Sequence, residues 1–306
     1  MNKICHIISM DNIDVMGEIT RQIYYNCIGD HFYHSLFNNE IPFANIYILH
    51  CFKKHNELFI NFKRPYNKSK IISIVHSSEP CFPAKNSDLV ITISDTWHDR
   101  LIELYGINNM CIYAGLDESF YKKYEKDFSK PVISRMSRPQ VGKYHKLWPF
   151  LAKSLLSDNK NLSMRIKCKN YKNFMYIDHK RVNYIDNIQI FEYEKKIKEL
   201  SKSNIFAMCH DTENVFVDTF CLELLEHMAT GHACVIIGKY QPAIKEVIGK
   251  SGIICDDIEE WYFWVDRVVK NKELRESLAL KAYERSKKYT ADIMVNSYNE
   301  VIKWLV

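Results

Sequence analysis

Glycine is scarce in this 306-residue chain, with nine in all, and neither a G-x-G-x-x-G run nor a G-x-x-x-x-G-K-[ST] run occurs. Neither NAD nor ATP is therefore signalled. The ten cysteines (Cys5, Cys27, Cys51, Cys81, Cys111, Cys168, Cys209, Cys221, Cys234 and Cys255) form no C-x-x-C pair and no Cys/His cluster. That pattern argues against zinc, and no metal is expected. Several thiols stand in apolar runs, where a free cysteine behaves as a small hydrophobe. The opening run Met1–Asn12 is too short for a secretory signal, so reduced thiols in a cytoplasmic protein are expected. No stretch approaches the ~20 apolar residues of a membrane span, which points to a soluble protein. Charge is only mildly one-sided: 42 Lys plus Arg against 37 Asp plus Glu leave +5. Such a balance permits an anionic ligand or a nucleic acid without demanding either. Internal repeats and low-complexity tracts are absent as well.

What is present reads as an α/β protein. Apolar residues make up 47% and charged residues 26%, the balance of a globular chain long enough for two domains and two cores. Short β-branched runs predict strands at Ile4–Ser9, Ile46–His50, Ile71–His76, Leu89–Ser94 and Met110–Tyr113. Further strands are expected at Val132–Arg135, Leu162–Lys167, Ile188–Phe191, Ile205–Met208 and Cys234–Ile237. Amphipathic segments between them predict helices at Gly17–Cys27, Thr96–Tyr105, Leu147–Leu156, Lys195–Ser201, Phe220–Thr230 and Ala243–Ile248. Three more, Ile258–Val269, Lys272–Tyr289 and Ala291–Leu305, finish the chain. Buried strands alternating with helices imply parallel sheets covered on both faces. The charged stretch Tyr121–Lys130 before Pro131 suits a linker, dividing the chain into 1–128 and 129–306. Two such domains facing each other would place their carboxyl-edge loops around one crevice, where open α/β sheets bind ligands.

The most informative stretch runs from Asp218 to Ile237: an acidic residue, a helix, Gly231, then a buried strand. Leu222, Leu225 and Ala229 share one helix face, and Glu226 lies beside it, where a carboxylate needs a polar partner. Free backbone N–H groups over Thr219–Leu222 would make the helix start an anion site. Two carboxylates for hydroxyls and a set of amides for phosphate match a sugar nucleotide. A second constellation follows the strand Val132–Arg135: Arg135, Arg138 and Lys143, with Lys146 as an alternative to Lys143, offer cations suited to a pyrophosphate.

Asp218 and Glu226, eight positions apart, resemble the E-x7-E signature of glycosyltransferase family four, a retaining family of GT-B fold. Met228-Ala-Thr-Gly231 and Gln241-Pro-Ala-Ile-Lys-Glu246 resemble the segments that follow that signature. Ile91-Thr-Ile-Ser94-Asp-Thr-Trp97 and Cys111-Ile-Tyr-Ala-Gly115-Leu-Asp117 look like the end of its N-terminal domain. Three positions depart from the family pattern: Asp218 for Glu, Cys221 for Gly and Ala233 for Pro; the first two bear on which sugar is carried.

The resemblance implies two Rossmann-like domains, a donor-binding second domain and an acceptor-binding first one, with helix Ala291–Leu305 crossing back to the first. Asp218 would hold the sugar hydroxyls and Glu226 the ribose. Arg135, Arg138 and Lys143 would hold the diphosphate, with Thr219, Phe220, Cys221 and Leu222 at the helix start. His76 would lie near the transferring sugar, with His50 as an alternative, and Gly17 near the phosphates. The implied reaction needs no cofactor beyond the sugar nucleotide, UDP-sugar being favoured. Retention would proceed on one face of the sugar, the leaving phosphate taking the acceptor's proton. The acceptor would be a glycan hydroxyl or a hydroxymethylated DNA base, as in phage DNA glycosyltransferases, and the Lys-rich stretch Phe52–Lys70 is compatible with DNA. Two other readings stay open: a nucleotide-sugar epimerase on the same fold, and a non-catalytic binding module descended from such an enzyme.

Overall fold

A computed structural model describes residues 2–8, 18–35, 37–38, 40–51, 56–76, 82–121, 125–136, 143–167, 176–185, 192–210 and 220–306. The chain divides into two compact units: Met1–Asp117 with Asp218–Phe220 and Tyr289–Val306, and Glu118–Val217 with Cys221–Lys288.

In the first unit the order is β1 (Lys3–Ile8), α1 (Glu18–Asn26), β2 (Asp30–Ser35), β3 (Ile46–Cys51), α2 (Asn56–Ile60), β4 (Lys70–Val75), β5 (Leu89–Thr92), α3 (Asp95–Tyr105) and β6 (Met110–Cys111). The strands form one parallel sheet in the order β2-β1-β3-β4-β5-β6. The central strands β1, β3 and β4 are buried almost end to end, which is why they read as unbroken apolar runs. One sheet face packs Cys5, Ile7, Tyr47, Leu49, Ile71 and Val75 with Phe59 of α2 and Trp97 and Leu101 of α3. Ser94 caps α3 by accepting the Trp97 N–H at 3.3 Å, and Gly106 at φ +63° ends it.

The second unit runs α4 (Glu118–Tyr121), β7 (Val132–Arg135), α5 (Trp148–Asp158), β8 (Ser163–Ile166), β9 (Val182–Tyr184), α6 (Tyr193–Leu200), β10 (Ile205–Met208), α7 (Leu222–Ala229), β11 (Ala233–Ile237), α8 (Pro242–Ile248), β12 (Ile253–Cys255), α9 (Ile258–Lys270) and α10 (Lys272–Ser286). Its parallel sheet has the order β12-β11-β10-β7-β8-β9. Trp148 of α5 and Trp261 of α9, both fully buried, meet edge to face at 6.0 Å within the core.

The structure departs from the sequence reading at the sheet margins. β2, β9 and β12 were not expected; all three are outer strands with partly exposed side chains, β2 and β9 carry no continuous apolar run, and the run of β12 is only three residues long. The strand expected at Ile188–Phe191 lies outside the described residues. The charged stretch expected as a linker instead packs on the second unit. Lys126 donates to the carbonyls of Leu200 (2.7 Å) and Ser203, at the negative end of α6. Asn204 donates to the carbonyls of Asp127 and Lys130, and Arg275 to that of Phe128. The unit boundary accordingly falls at Asp117, ahead of the 128/129 division.

The final helix α11 (Ala291–Leu305) belongs to the first unit and packs on α1. Its approach is clamped by a bridge in which Leu116 N–H donates to Tyr289 O at 2.9 Å and Ala291 N–H to Leu116 O at 2.8 Å. Gly115 makes the bridge possible, since a Cβ there would stand 2.1 Å from the Thr290 carbonyl oxygen. Gly115→Ala must therefore push the two backbones apart, at a cost of about 1–3 kcal/mol. A lowered urea midpoint, with faster amide exchange in α11, is the expected result.

Candidate functional site

Strand order locates the ligand edge of each unit. Renumbered from β7, the second sheet has the doubly wound order 3-2-1-4-5-6, and the first has 2-1-3-4-5-6. In such sheets the strand order reverses beside the first strand, and ligands bind outside the carboxyl ends there. The switch lies between β7 and β10 in the second unit and between β1 and β3 in the first.

At the β7–β10 switch the structure gathers Arg135, the Lys143 carbonyl, Glu223 and His227, with Glu226 on the same helix as the last two. Arg135 ends β7 and is fully buried. Its guanidinium donates to Ala207 O of β10 at 3.3 Å and to Lys143 O at 3.1 Å, and stacks on Tyr144 at 4.2 Å. Arg135 thus ties β7 to β10 and holds the backbone of the loop that carries Lys143. Lys143 is half-buried and Lys146 exposed.

The start of α7 is latched to the same strand end. Glu223 Oε1 accepts the Met136 N–H at 2.9 Å and lies 3.9 Å from Arg135 Nε. His227 shares a hydrogen bond with Ser134 Oγ at 3.2 Å, stacks on Phe206 at 4.0 Å and contacts Glu223 O at 2.8 Å. Because Glu223, Glu226 and His227 fall three and four residues apart, one helix face carries all three. Glu226 is 5% exposed, and its Oε1 accepts from Lys196 Nζ of α6 at 2.5 Å, the polar partner that its apolar surroundings require. Sequence reasoning missed Glu223, His227 and Lys196; the usable signal was the helical spacing of the first two from Glu226.

Cys221 is the residue preceding α7 and is buried, and Leu222 is half-buried in its first turn. Phe220 is buried in the first unit against Tyr113 and Tyr289, so its ring serves packing. Asp218, Thr219, Arg138 and Gly17 lie outside the described residues. Of the basic stretch 52–70, Arg64 and Lys70 are paired with Asp88 at 2.8 and 3.6 Å, which removes them from a free cationic face.

In the first unit His76 stands one residue past β4 and is half-buried. Its Nε2 lies 3.0 Å from Nδ1 of His50, the alternative candidate on β3. His50 in turn meets His6 of β1, and His6 meets His31 of β2. The sequence indicated His50 and His76 but gave no reason to join them to His6 and His31. Burial drives His76 down to about 3, and burial together with neighbouring imidazoles puts His6 and His50 well below the ordinary range. In the second unit burial lowers His227 to about 3 and His232 also well below its usual value.

These depressed values set a pH dependence of stability. The unfolded chain takes up protons on these histidines below its ordinary value near 6.5, while the folded chain does not. Stability is therefore full above that pH and falls as pH drops towards the folded values, by about 1.4 kcal/mol per pH unit for each histidine. Urea midpoints should decline steadily below about pH 6.5; a midpoint flat from neutral to mildly acidic pH would contradict the burial of these rings.

No family model and no curated protein matches the sequence. Solved structures do. HepE of Anabaena, in complex with UDP-glucose, aligns with a TM-score of 0.72 at 10% identity, over 99% of this chain and 100% of that one. A glycosyltransferase from Rickettsia africae aligns with a TM-score of 0.69 at 12% identity, over 99% and 98%. TarM of S. aureus aligns with a TM-score of 0.61 at 14% identity, over 83% of this chain, which spans only about half of TarM (53%). Two parallel six-stranded α/β units, each with its topological switch, give this chain the fold of the GT-B glycosyltransferases.

Proposed function

We propose that this protein is a retaining glycosyltransferase, related to family four, that moves a sugar from a UDP-sugar to an acceptor hydroxyl. The observation that carries the reading is end-to-end fold likeness to HepE, whose structures hold UDP-glucose or UDP and glucose. Lys143 held by its backbone at the β7–β10 switch, and Glu223 and Glu226 on the adjoining helix α7, support it, because a nucleoside diphosphate needs cations for phosphate and a carboxylate for ribose hydroxyls.

In this scheme Glu226 accepts hydrogen bonds from the ribose, with Lys196 holding its other contacts in place. Lys143 and Arg138 neutralise the departing diphosphate, where stabilising developing charge contributes most to rate. Arg135 acts at one remove by fixing the Lys143 backbone. Asp218 binds the sugar hydroxyls, and His76 orients the transferring sugar. The leaving phosphate takes the acceptor proton on the face from which it departs, so neither a general base nor a metal is assigned. The acceptor is a glycan hydroxyl or a hydroxymethylated DNA base. Duplex binding that falls steeply with salt selects DNA.

A thermal-shift panel of UDP, GDP, ADP, TDP and CMP tests the donor. At 100 times its Kd a ligand adds about 2.7 kcal/mol of stability, so UDP should raise the midpoint clearly. A panel without any shift overturns the reading. Glu226→Gln loses one charge-assisted hydrogen bond, worth about 1.5–3 kcal/mol, and should weaken UDP binding roughly tenfold to a hundredfold with an unchanged circular dichroism spectrum. Wild-type affinity in that variant would remove Glu226 from the site.

A further inference from the structure

The second sheet carries a cavity at the edge opposite its switch. About 610 Å³ in volume, it lies at the amino ends of the outer strands, where Ser163 begins β8 and Val182 begins β9. β9 ends the sheet order and pairs with β8. Among the described residues, four cations line the cavity, Arg165, Lys180, Arg181 and Lys202, and no carboxylate does. Two neutral hydrogen-bonding side chains, Ser163 and Asn183, join them. Arg165 stands opposite Asn183 in the parallel register, so both side chains leave the same sheet face, as does that of Ser163 two residues earlier. Met164 and Ile166 point the other way, into the core.

The positive charge of this cavity is only partly compensated. Among the described residues Glu199 of α6 is the carboxylate paired with these cations, and it serves two of them: its Oε2 accepts from Arg165 and its Oε1 from Lys202. Arg181 is held by neutral groups, its guanidinium donating to the carbonyls of Asn159 at 2.6 Å and of Lys160 and Leu162 at 2.8 Å. Carbonyls satisfy its N–H groups and leave its charge in place. Lys180 is exposed. Four positive charges thus face one negative charge. The carbonyl end of α6 does not redress the balance, because Lys126 already occupies the Leu200 and Ser203 carbonyls. An apolar ligand would strip water from these cations and return nothing. An anion relieves the repulsion among them and supplies acceptors to their N–H groups.

We propose that this cavity binds an anionic saccharide, with a phosphate or carboxylate group resting among Arg165, Lys180 and Lys202 and ring hydroxyls reaching Ser163 and Asn183. The acid group follows from the uncompensated cations. The saccharide follows from the two neutral side chains, since a hydroxyl and a carboxamide each both donate and accept, as ring hydroxyls do. The volume falls within the roughly 300–1,000 Å³ of small-molecule sites and leaves room for about one or two sugar rings. Arg181 builds the wall: its N–H groups are tied to the end of α5 and the turn into β8. Because the cavity opens at the amino ends of the strands, it is separate from the carboxyl-edge switch that holds Arg135 and Glu223. The proposal therefore does not rest on the glycosyltransferase reading.

Isothermal titration calorimetry at fixed low ionic strength tests the site with glucose 6-phosphate, glucuronate, glucose, inorganic phosphate and acetate. Glucose 6-phosphate or glucuronate should bind saturably, the better of the two naming the acid group, and glucose should bind at least about tenfold more weakly. Lys180→Glu and Lys202→Glu should each weaken that acid sugar about tenfold, the scale of one charge-assisted hydrogen bond at a half-exposed position. Their circular dichroism spectra should be unchanged, and Lys180→Arg should keep the affinity within about threefold. Protein saturated with UDP should bind the acid sugar equally well. Absence of saturable binding by either acid sugar overturns the proposal, and so does an affinity untouched by both charge reversals. Inorganic phosphate or acetate binding as tightly as the sugar carrying the same acid group overturns the saccharide assignment. Displacement by UDP would put the acid sugar at the nucleotide's site and overturn a separate cavity, whereas a lack of UDP binding fails only the glycosyltransferase reading.

Discussion

In-register parallel pairing is the constraint on which both sites depend. Every strand of each sheet runs the same way, so all carboxyl ends lie along one edge, and the loops that leave them carry the polar residues. Within the first sheet, pairing of β1 with β2 and β3, and of β3 with β4, also decides which side chains meet. A slip of one residue would turn His6 or His50 to the opposite face, among Cys5, Ile7 and Leu49. The hydrophobic pattern that enforces the register thereby aligns the histidines.

Buried polar groups hold the edges in shape. Arg135 spans β7 and β10 through backbone carbonyls, Lys126 closes the end of α6, and Arg275 holds the carbonyls of Val268 and Val269 at the end of α9 together with that of Phe128. Cations placed in such positions would be costly without partners. Here each satisfies carbonyls that a strand or helix end leaves open. In the second unit Arg135 and Glu223 brace the end of β7, where Arg135 also holds the Lys143 carbonyl.

The likeness to solved glycosyltransferases extends over nearly the whole chain at identities of 10–12%, where sequence comparison finds no family. Spacing of buried apolar positions can persist while residue identities drift, because cores tolerate volume-conserving exchange. Polar residues are less interchangeable.

Much was legible from residues alone. The unbroken apolar runs of β1, β3, β4, β7, β10 and β11 announced buried parallel strands, and Ser94 and Gly106 marked the ends of α3 through capping chemistry that acts within a few residues. The outer strands β2 and β9 were hidden because a half-exposed strand needs no apolar run, and β12 because its run is only three residues long. The charged stretch 125–130 looked like a linker because composition does not reveal that Lys126 has carbonyls to bind. The backbone carbonyls that Arg135 holds were equally hidden, for a strand-end arginine reads the same whether its fork points outward or back into the sheet. Local pattern determined that this protein is built from alternating strands and helices with polar residues at strand ends. Only the tertiary structure decided that Arg135 braces, that Glu226 pairs with Lys196, and that three strand histidines and the one just past β4 form one hydrogen-bonded line. Those outcomes depend on side chains far apart in sequence, and pairing register alone brings them within hydrogen-bond reach.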